Sequence, residues 1–493
     1  MAASAFIRCN ELLRFTAEFQ YGDFRDILLF RKIKAPRPPP FRPQKRVSAS
    51  GTTTTFVAAS MSWQSPDSYE ASLSLTTSCR EVDFAGFAAF HEVLGPWLVV
   101  YNTSRLSLLF TALPSIVPLV LAHACMYGDV DVIQYYIANK LLDCDTIYSK
   151  HALNLAILYG QLEVVELLNT KECSREATDG AAGNGHLAMI QWIHQRRHEG
   201  FSRDAMTEAA ANGHLHVVHW LHTNRSEGCH VHAMDEAAEN GHIDVFLFLH
   251  THRREGCTTR AMNAFAKQGN LAMVQFLHSE RMEGCSSRAM DDAAEQGHLE
   301  VVQFLHKYRL EGCTVRAMNG AAAKGHLEIV KWLHSNRNEG CSTFAMNQAA
   351  KNGHLEVVKF LHNNRTEGCT TVAMDGAAEN GHLDNVIFLH IHREEGCTQY
   401  AMDSACRNGH LSVVEWLHAH RWEGCTTKAM DMAAGQGHLK VVQWLMEHRS
   451  TQRSTTFAQD RALQNGHKDI VEYLRLKNLE VPGTTSWHGH CNN

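Results

Sequence analysis

The sequence predicts an all-α solenoid of about thirteen stacked helix-turn-helix repeats, and three observations predict it. Ten glycines from Gly185 to Gly437 recur at intervals of 28 residues, which marks an internal repeat. Each period carries two segments of helical periodicity, one small-faced and one bulky. The turns between the segments are too short to hold a strand pair.

The first segment lies before the glycine. Counting back from it, positions −8, −4 and −3 are mostly Ala and −7 is mostly Met, as in Ala289, Met290, Ala293 and Ala294 before Gly297. At 100° per residue these share one helical face about 140° wide. Thr258, Ser286 and Thr314 precede it as N-cap residues. The glycine ends it, because glycine takes the left-handed C′ conformation without a Cβ penalty. The second segment has Leu at +2, an aliphatic or Met at +4 and +5, Phe or Trp at +7 and Leu at +8 in most repeats, the spacing of one buried face. A Glu-Gly-Cys run then turns the chain. Neither helix can bury its face alone, so the repeats must stack.

The register extends beyond the strict block. Gly160 and Gly128 close two more divergent repeats, and Gly466 closes the last, 29 residues after Gly437. The array is therefore expected over 116–478. Residues 61–115 show helical signals out of register, including Phe84 to Phe90 and Trp97 to Tyr101, and are expected to form an N-terminal cap. Residues 1–60 are expected to be a disordered basic, Pro-rich leader, since Arg31 to Arg46 holds seven Lys/Arg and five prolines. Residues 479–493 are expected to be a disordered tail.

Composition narrows the function. The chain is 44% apolar with 20% charged residues and a formal net charge of −6, so no global field draws it to nucleic acid or an anionic membrane. Arg8 and Glu11 interrupt the first apolar run, which leaves no signal-peptide h-region. Leu106 to Ala124 is the most apolar stretch but contains Pro114 and Pro118, and reads as a buried cap or first helix. The expectation is an intracellular, cytoplasmic, monomeric protein with reduced thiols, a nuclear address through Arg31 to Arg46 being the alternative.

The repeated residues resemble the ankyrin repeat. The family pattern matches best around Ala349-Ala350-Lys351-Asn352-Gly353-His354-Leu355-Glu356-Val357-Val358. Its Thr-Pro-Leu-His is replaced by x-Ala-Met-Asp/Asn, as at Arg288 to Asp291, so that motif's hydroxyl–histidine network is missing. The period is 28 residues against about 33 in the family. The shortfall falls where ankyrin repeats project a β-hairpin, so the resemblance implies an ankyrin-like array with reduced or absent hairpins. It also implies a non-enzymatic protein-interaction scaffold, with a substrate-recognition adaptor of a ubiquitin-ligase-type complex as the alternative.

Three ladders invite a metal or catalytic reading. His follows the glycine in nine of the ten strict repeats, a second His series runs from His194 to His418, and Cys recurs from Cys229 to Cys425. Equivalent positions in adjacent repeats lie ~10 Å apart. Disulfides need Cα atoms within about 7 Å and zinc needs four ligands at about 2.0–2.3 Å, so one ladder supplies neither. Arg at +12, Glu at +14 and Asp/Asn at −6 recur as well, with the acids within reach of the Arg. Sameness between repeats marks a structural demand, so no catalytic, metal or cofactor site is expected.

Function is expected where repeats differ. Positions −9, −5 and −2 share the other face of the first helix. At −9 the series is Glu176, Asp204, His232, Arg260, Arg288, Arg316, Phe344, Val372, Tyr400 and Lys428. The −5 series ends at Met432 and is expected to open to solvent because the hairpin is missing. The candidate groove for a protein or peptide is Arg260, Arg288, Arg316, Phe344, Val372, Tyr400, Lys428 and Met432. Asp292 and Glu295 dilute its basic part, which argues against nucleic acid.

Overall fold

A computed structural model describes residues 84–142, 147–168, 173–196, 200–449 and 455–479. The basic leader, residues 61–83 of the cap segment, and the residues from 480 onward lie outside the described residues. Everything described is helix or turn, with no strand. The chain divides into two compact units, 1–256 and 257–493.

The first unit opens with a helix at Phe84–Tyr101, a short helix at Leu106–Ala112 and a 3-10 turn at Pro114–Ile116. Five helix pairs follow, from Val117–Tyr127 with Val130–Ala138 to His232–Glu239 with Ile243–His252. The opening helix lays His91 on Tyr127 at 4.0 Å and Phe90 edge-on to His123 at 6.1 Å. The apolar stretch after Leu106 is bent by 117° at its break, and its Leu106, Leu109 and Val120 are buried. Among the described residues no single helix is long and apolar enough to cross a membrane. The second unit holds eight pairs, from Thr259–Lys267 with Leu271–Glu280 to Thr455–Gln464 with Lys468–Leu479. Among the described residues there are thirteen helix pairs, in line with the about thirteen expected.

Each pair forms for the reasons its residues give. Thr314 caps its helix by accepting from the Arg316 N–H at 3.1 Å. Ala317, Met318, Ala321 and Ala322 are buried, and the small face lets neighbouring first helices pack closely. Gly325 ends the helix at φ 80°, with the His326 N–H reaching back to Ala321 O at 2.9 Å, the Schellman closure. In the second helix Ile329, Val330 and Leu333 are buried, while Leu327 and Trp332 stay half-buried, so the +2 and +7 positions line the edge of the core.

Three sets of polar contacts cross from one repeat to the next. The first is a buried latch from the −6 side chain to the next N-cap. Asp291 accepts from the Thr314 N–H at 2.7 Å and its hydroxyl at 2.8 Å, and Asp375 does the same for Thr398. Where −6 is Asn the hydroxyl reverses its role: the Asn319 amide donates to Ser342 Oγ at 3.0 Å and its carbonyl accepts from the Ser342 N–H. This corrects the reading of the −6 acids as partners for Arg. The hydroxyl network missing from the sequence motif is rebuilt here from other residues.

The second set gathers on the last carbonyls of each first helix. Asn352 donates to Ala323 O and Asn380 to Lys351 O, both at 2.7 Å. The His after the glycine reaches the same row, with His298 Nε2 donating to Lys267 O at 3.1 Å. Carbonyls with no intrahelical partner are satisfied from the next repeat. Asn270, the one departure from His, caps its own helix by accepting from the Met273 N–H at 3.1 Å.

The third set is a clasp at the outer turn. Arg309 donates to Glu311 two residues on, and Glu311 accepts from the Cys285 N–H of the preceding repeat at 3.3 Å. The same pairing joins Arg253 to Glu255 and Arg365 to Glu367. Burial works against ionising these carboxyls. The Arg hydrogen bonds and two backbone N–H groups outweigh it and hold Glu255, Glu311 and Glu367 at about 2.

A Cβ on Gly325 would sit 2.5 Å from His354 Nδ1, whereas one on Gly241, at nearly the same φ, meets open space. Gly241→Ala carries only the backbone cost of about 1–2 kcal/mol, and Gly325→Ala is expected to lower the melting temperature further. Gly325→Val should strip hydrogen-exchange protection from the neighbouring repeats and leave the region of Gly185 intact; uniform loss would contradict near-neighbour stability. The clasp sets an acid limb. A carboxyl held at about 2 when folded and at an ordinary 4.5 when unfolded stabilises fully above 4.5 and loses that contribution as pH falls towards 2. Asp179 and Asp375, pushed up by burial, run the other way. Thermal melts should show the net loss between those pH values, and Glu311→Gln should flatten it; an unchanged pH dependence would remove the clasp from the account.

Candidate functional site

Once the repeated residues are assigned to the frame, the variable columns of the first helices remain. At Arg260, Arg316, Phe344, Val372, Tyr400 and Lys428 the −9 N–H donates to the hydroxyl two places before it, as Tyr400 N–H does to Thr398 Oγ1 at 3.1 Å, whereas Ser286 makes no such bond before Arg288. The cap therefore fixes where the −9 side chain starts, and buried Ala and Met on either side of the helix leave it pointing outward. Phe344, Val372 and Tyr400 are 50%, 49% and 50% exposed, so these side chains lie on the surface and not in the core. Arg260, Arg288, Arg316 and Lys428 are exposed as well. All these residues lie in the second compact unit. The acidic Glu176 and Asp204 belong to the first.

Met432 and the rest of the −5 column behave differently from expectation. Met432 is half-buried, and Ala264, Gly376 and Ser404 are buried. The −5 position of one repeat rests against the −2 position of the repeat before it. A Cβ on Gly320 would lie 2.8 Å from Glu295 Cβ, and one on Gly376 would lie 2.9 Å from Lys351 Cβ. The expectation that losing the hairpin opens −5 to solvent is thus corrected: close approach of the Ala-faced helices closes it.

The −2 column, which the sequence places on the same face but which contributes no residue to the candidate groove, lies beside the −9 column and links to it. Glu379 accepts from Lys351 Nζ at 3.0 Å and from the Tyr400 hydroxyl at 3.2 Å. Partial burial and the Glu379 carboxylate push the Tyr400 phenol up. Tyr400 is therefore oriented by a charged pair, and its ring remains half exposed. In the basic part, Arg316 lies 3.8 Å from Asp292, as the acidic dilution of that part implied. The alternation of charge at −2, visible in the sequence from Lys351 through Glu379 to Arg407, was the available signal.

The outer turns hold a second feature that the sequence reading missed. Between the clasp Arg and Glu, Met282, Leu310 and Trp422 are 98%, 102% and 87% exposed. The Arg–Glu clasp closes beneath this position and leaves its side chain no core to enter.

The ladders that invite chemistry are occupied by packing. His278 meets Phe304 of the next repeat edge-on at 5.6 Å, His334 meets Phe360 and His362 meets Phe388 at the same distance. Among the described residues no group of three His, Cys, Asp or Glu side chains could hold a metal ion. The ladder cysteines are free thiols, all buried except the half-buried Cys341. Burial, then the clasp Glu, pushes Cys229 and Cys397 up to about 12 and Cys285 up to about 11. Thiolate is the reactive form. Iodoacetamide at pH 8 should therefore leave Cys229, Cys285 and Cys397 unlabelled in the native protein and label them fully in denaturant. Prompt native labelling, or tightly held zinc lost on Cys→Ser substitution, would overturn this.

The comparisons agree with the geometry. A family model described as ankyrin repeats (3 copies) matches residues 318–403 and 402–483. A second, described as ankyrin repeats (many copies), matches residues 179–222 and 290–334. A comparison with curated proteins gives no match. The matched segments fall on the helix pairs described above, with their left-handed glycines and short turns in register. The chain is an ankyrin-repeat protein whose repeats are mostly 28 residues long and, among the described residues, purely helical.

Proposed function

We propose that this protein is a non-enzymatic scaffold that binds a protein or peptide segment along the −9 face of the first helices in residues 257–493. Ankyrin repeats are protein–protein interaction modules, which supports the class of function. The observation that carries the location is the run Phe344, Val372 and Tyr400, three apolar side chains each about half exposed at equivalent positions of consecutive repeats. Folding offers no reason for them, because the frame buries its own face without them. A contiguous run of exposed apolar side chains marks a contact patch.

Phe344 and Tyr400 are the anchors on this reading. Aromatic residues carry a large share of interface energy, typically ~2 kcal/mol or more on truncation. Arg288 and Arg316 stand at one end of the run and steer an acidic flank of the partner.

The test is a proximity-labelling comparison of the wild type with Phe344→Ala/Tyr400→Ala, paired with thermal melts. The expected outcome is a defined set of proteins depleted at least tenfold, about 1.4 kcal/mol or more, with the melting temperature nearly unchanged. A variant that loses stability and keeps its neighbours would place the binding site elsewhere.

A further inference from the structure

The −2 column explains why one step along the −9 face differs from the others. Lys351 is neutralised by Glu379, the −2 residue of the next repeat, at 3.0 Å. Arg407 stands one repeat further on. The carboxylate behind it, Glu379, is already held by Lys351 and Tyr400. The −2 residue ahead of it is Gly435, which has no side chain to offer. Arg407 is exposed and makes no ion pair among the described residues.

Gly435 also leaves space. The nearest atom to a Cβ built there is Arg461 Cβ at 3.4 Å. The result is a half-open cavity of about 280 Å³ lined by Arg407, Met432, Gly435, Gln436, Arg461 and Asn465. Arg461 is exposed and likewise has no ion-pair partner among the described residues. Asn465 is committed, its amide donating to Gly435 O at 2.6 Å. Met432 gives the cavity an apolar wall, and Lys428, exposed one turn earlier on the same helix, adds positive charge.

We infer that this cavity receives a carboxylate side chain of the peptide bound along Phe344, Val372 and Tyr400, an inference that rests on the groove reading above. Two guanidinium forks beside a cleft suit a carboxylate, which they bind bidentately. The methionine wall accommodates the methylenes of a Glu stem. The recognised segment therefore carries apolar residues followed, in one chain direction, by acidic ones. The cavity lies one to two first helices beyond Tyr400, ~10–20 Å. An extended chain covers that in roughly three to six residues.

The test uses the full chain and two fluorescein-labelled synthetic peptides of about sixteen residues. Both carry three spaced apolar residues (Leu, Trp, Leu); one continues into a Glu run and its twin into a Gln run. Anisotropy titrations are run at about 50 mM salt, where exposed charges are incompletely screened. The expected result is at least tenfold tighter binding of the Glu peptide. Arg407→Gln/Arg461→Gln should erase that difference, and Gly435→Glu, which places a carboxylate in the cavity, should do the same. Phe344→Ala/Tyr400→Ala should weaken both peptides. Equal binding of the twins to the wild type, still sensitive to Phe344 and Tyr400, overturns the cavity and leaves the groove standing. Binding of neither peptide overturns both. A single-stranded oligonucleotide that binds more tightly than the Glu peptide and depends on Arg407 and Arg461 overturns the inference in favour of nucleic acid.

Discussion

The latch between the −6 side chain and the next N-cap is the interaction on which the rest of this structure depends. A 28-residue repeat has two short helices and no hairpin, so neither a local core nor a sheet edge fixes where the next repeat begins. Asp291 with Thr314, and Asn319 with Ser342, fix it instead. Each latch satisfies a buried polar side chain, an N-terminal backbone N–H and a hydroxyl together. An orphaned member of such a set would cost about 1–3 kcal/mol. The latch also sets the distance between first helices, and the Ala positions can then be no larger than they are.

Several repeated residues acquire their reasons from that spacing. The glycine at the end of each first helix is needed for its left-handed φ, and at most positions also because the next repeat's His lies over it, as His354 lies over Gly325. The glycine of the outer turn has the same double role, with Arg337 Nη2 2.6 Å from where a Gly312 Cβ would be. The Arg–Glu clasp then holds the turn to the backbone of the repeat before it. The polar residues that looked like candidates for chemistry are thus the inter-repeat bonding of a fold that lacks hairpins.

Much of this was legible in the sequence, because a repeat displays each structural demand many times. The helix pairs, the Ala face, the hydroxyl caps and the left-handed glycines all follow from period and residue type. What could not be read was which neighbour each residue meets. Periodicity places Asp291 on a face of its own helix; only the stacking distance decides that it meets Thr314 and not an Arg. The same gap explains the −5 column, where Ala264 and Ser404 share an outward-facing sector in projection and are buried by the preceding helix. It also explains Glu379, whose link to Lys351 and Tyr400 spans three repeats and shows in the sequence only as the alternation of charge at −2. The exposed −9 residues were easier to read, since a variable residue within an invariant frame is visible from one sequence.

On the proposed reading the labour divides: invariant residues hold the repeats together, and the variable −9 face of residues 257–493 meets the partner. Site-specific photocrosslinking in cells tests it most directly, with a benzoylphenylalanine placed at Phe344 or Val372 on the first helices, or at Lys331 or Glu415 on the exposed side of the second helices. The account predicts discrete crosslinked protein bands from the first two positions and none from the others. Crosslinks from Lys331 or Glu415, with Phe344 and Val372 silent, would contradict it.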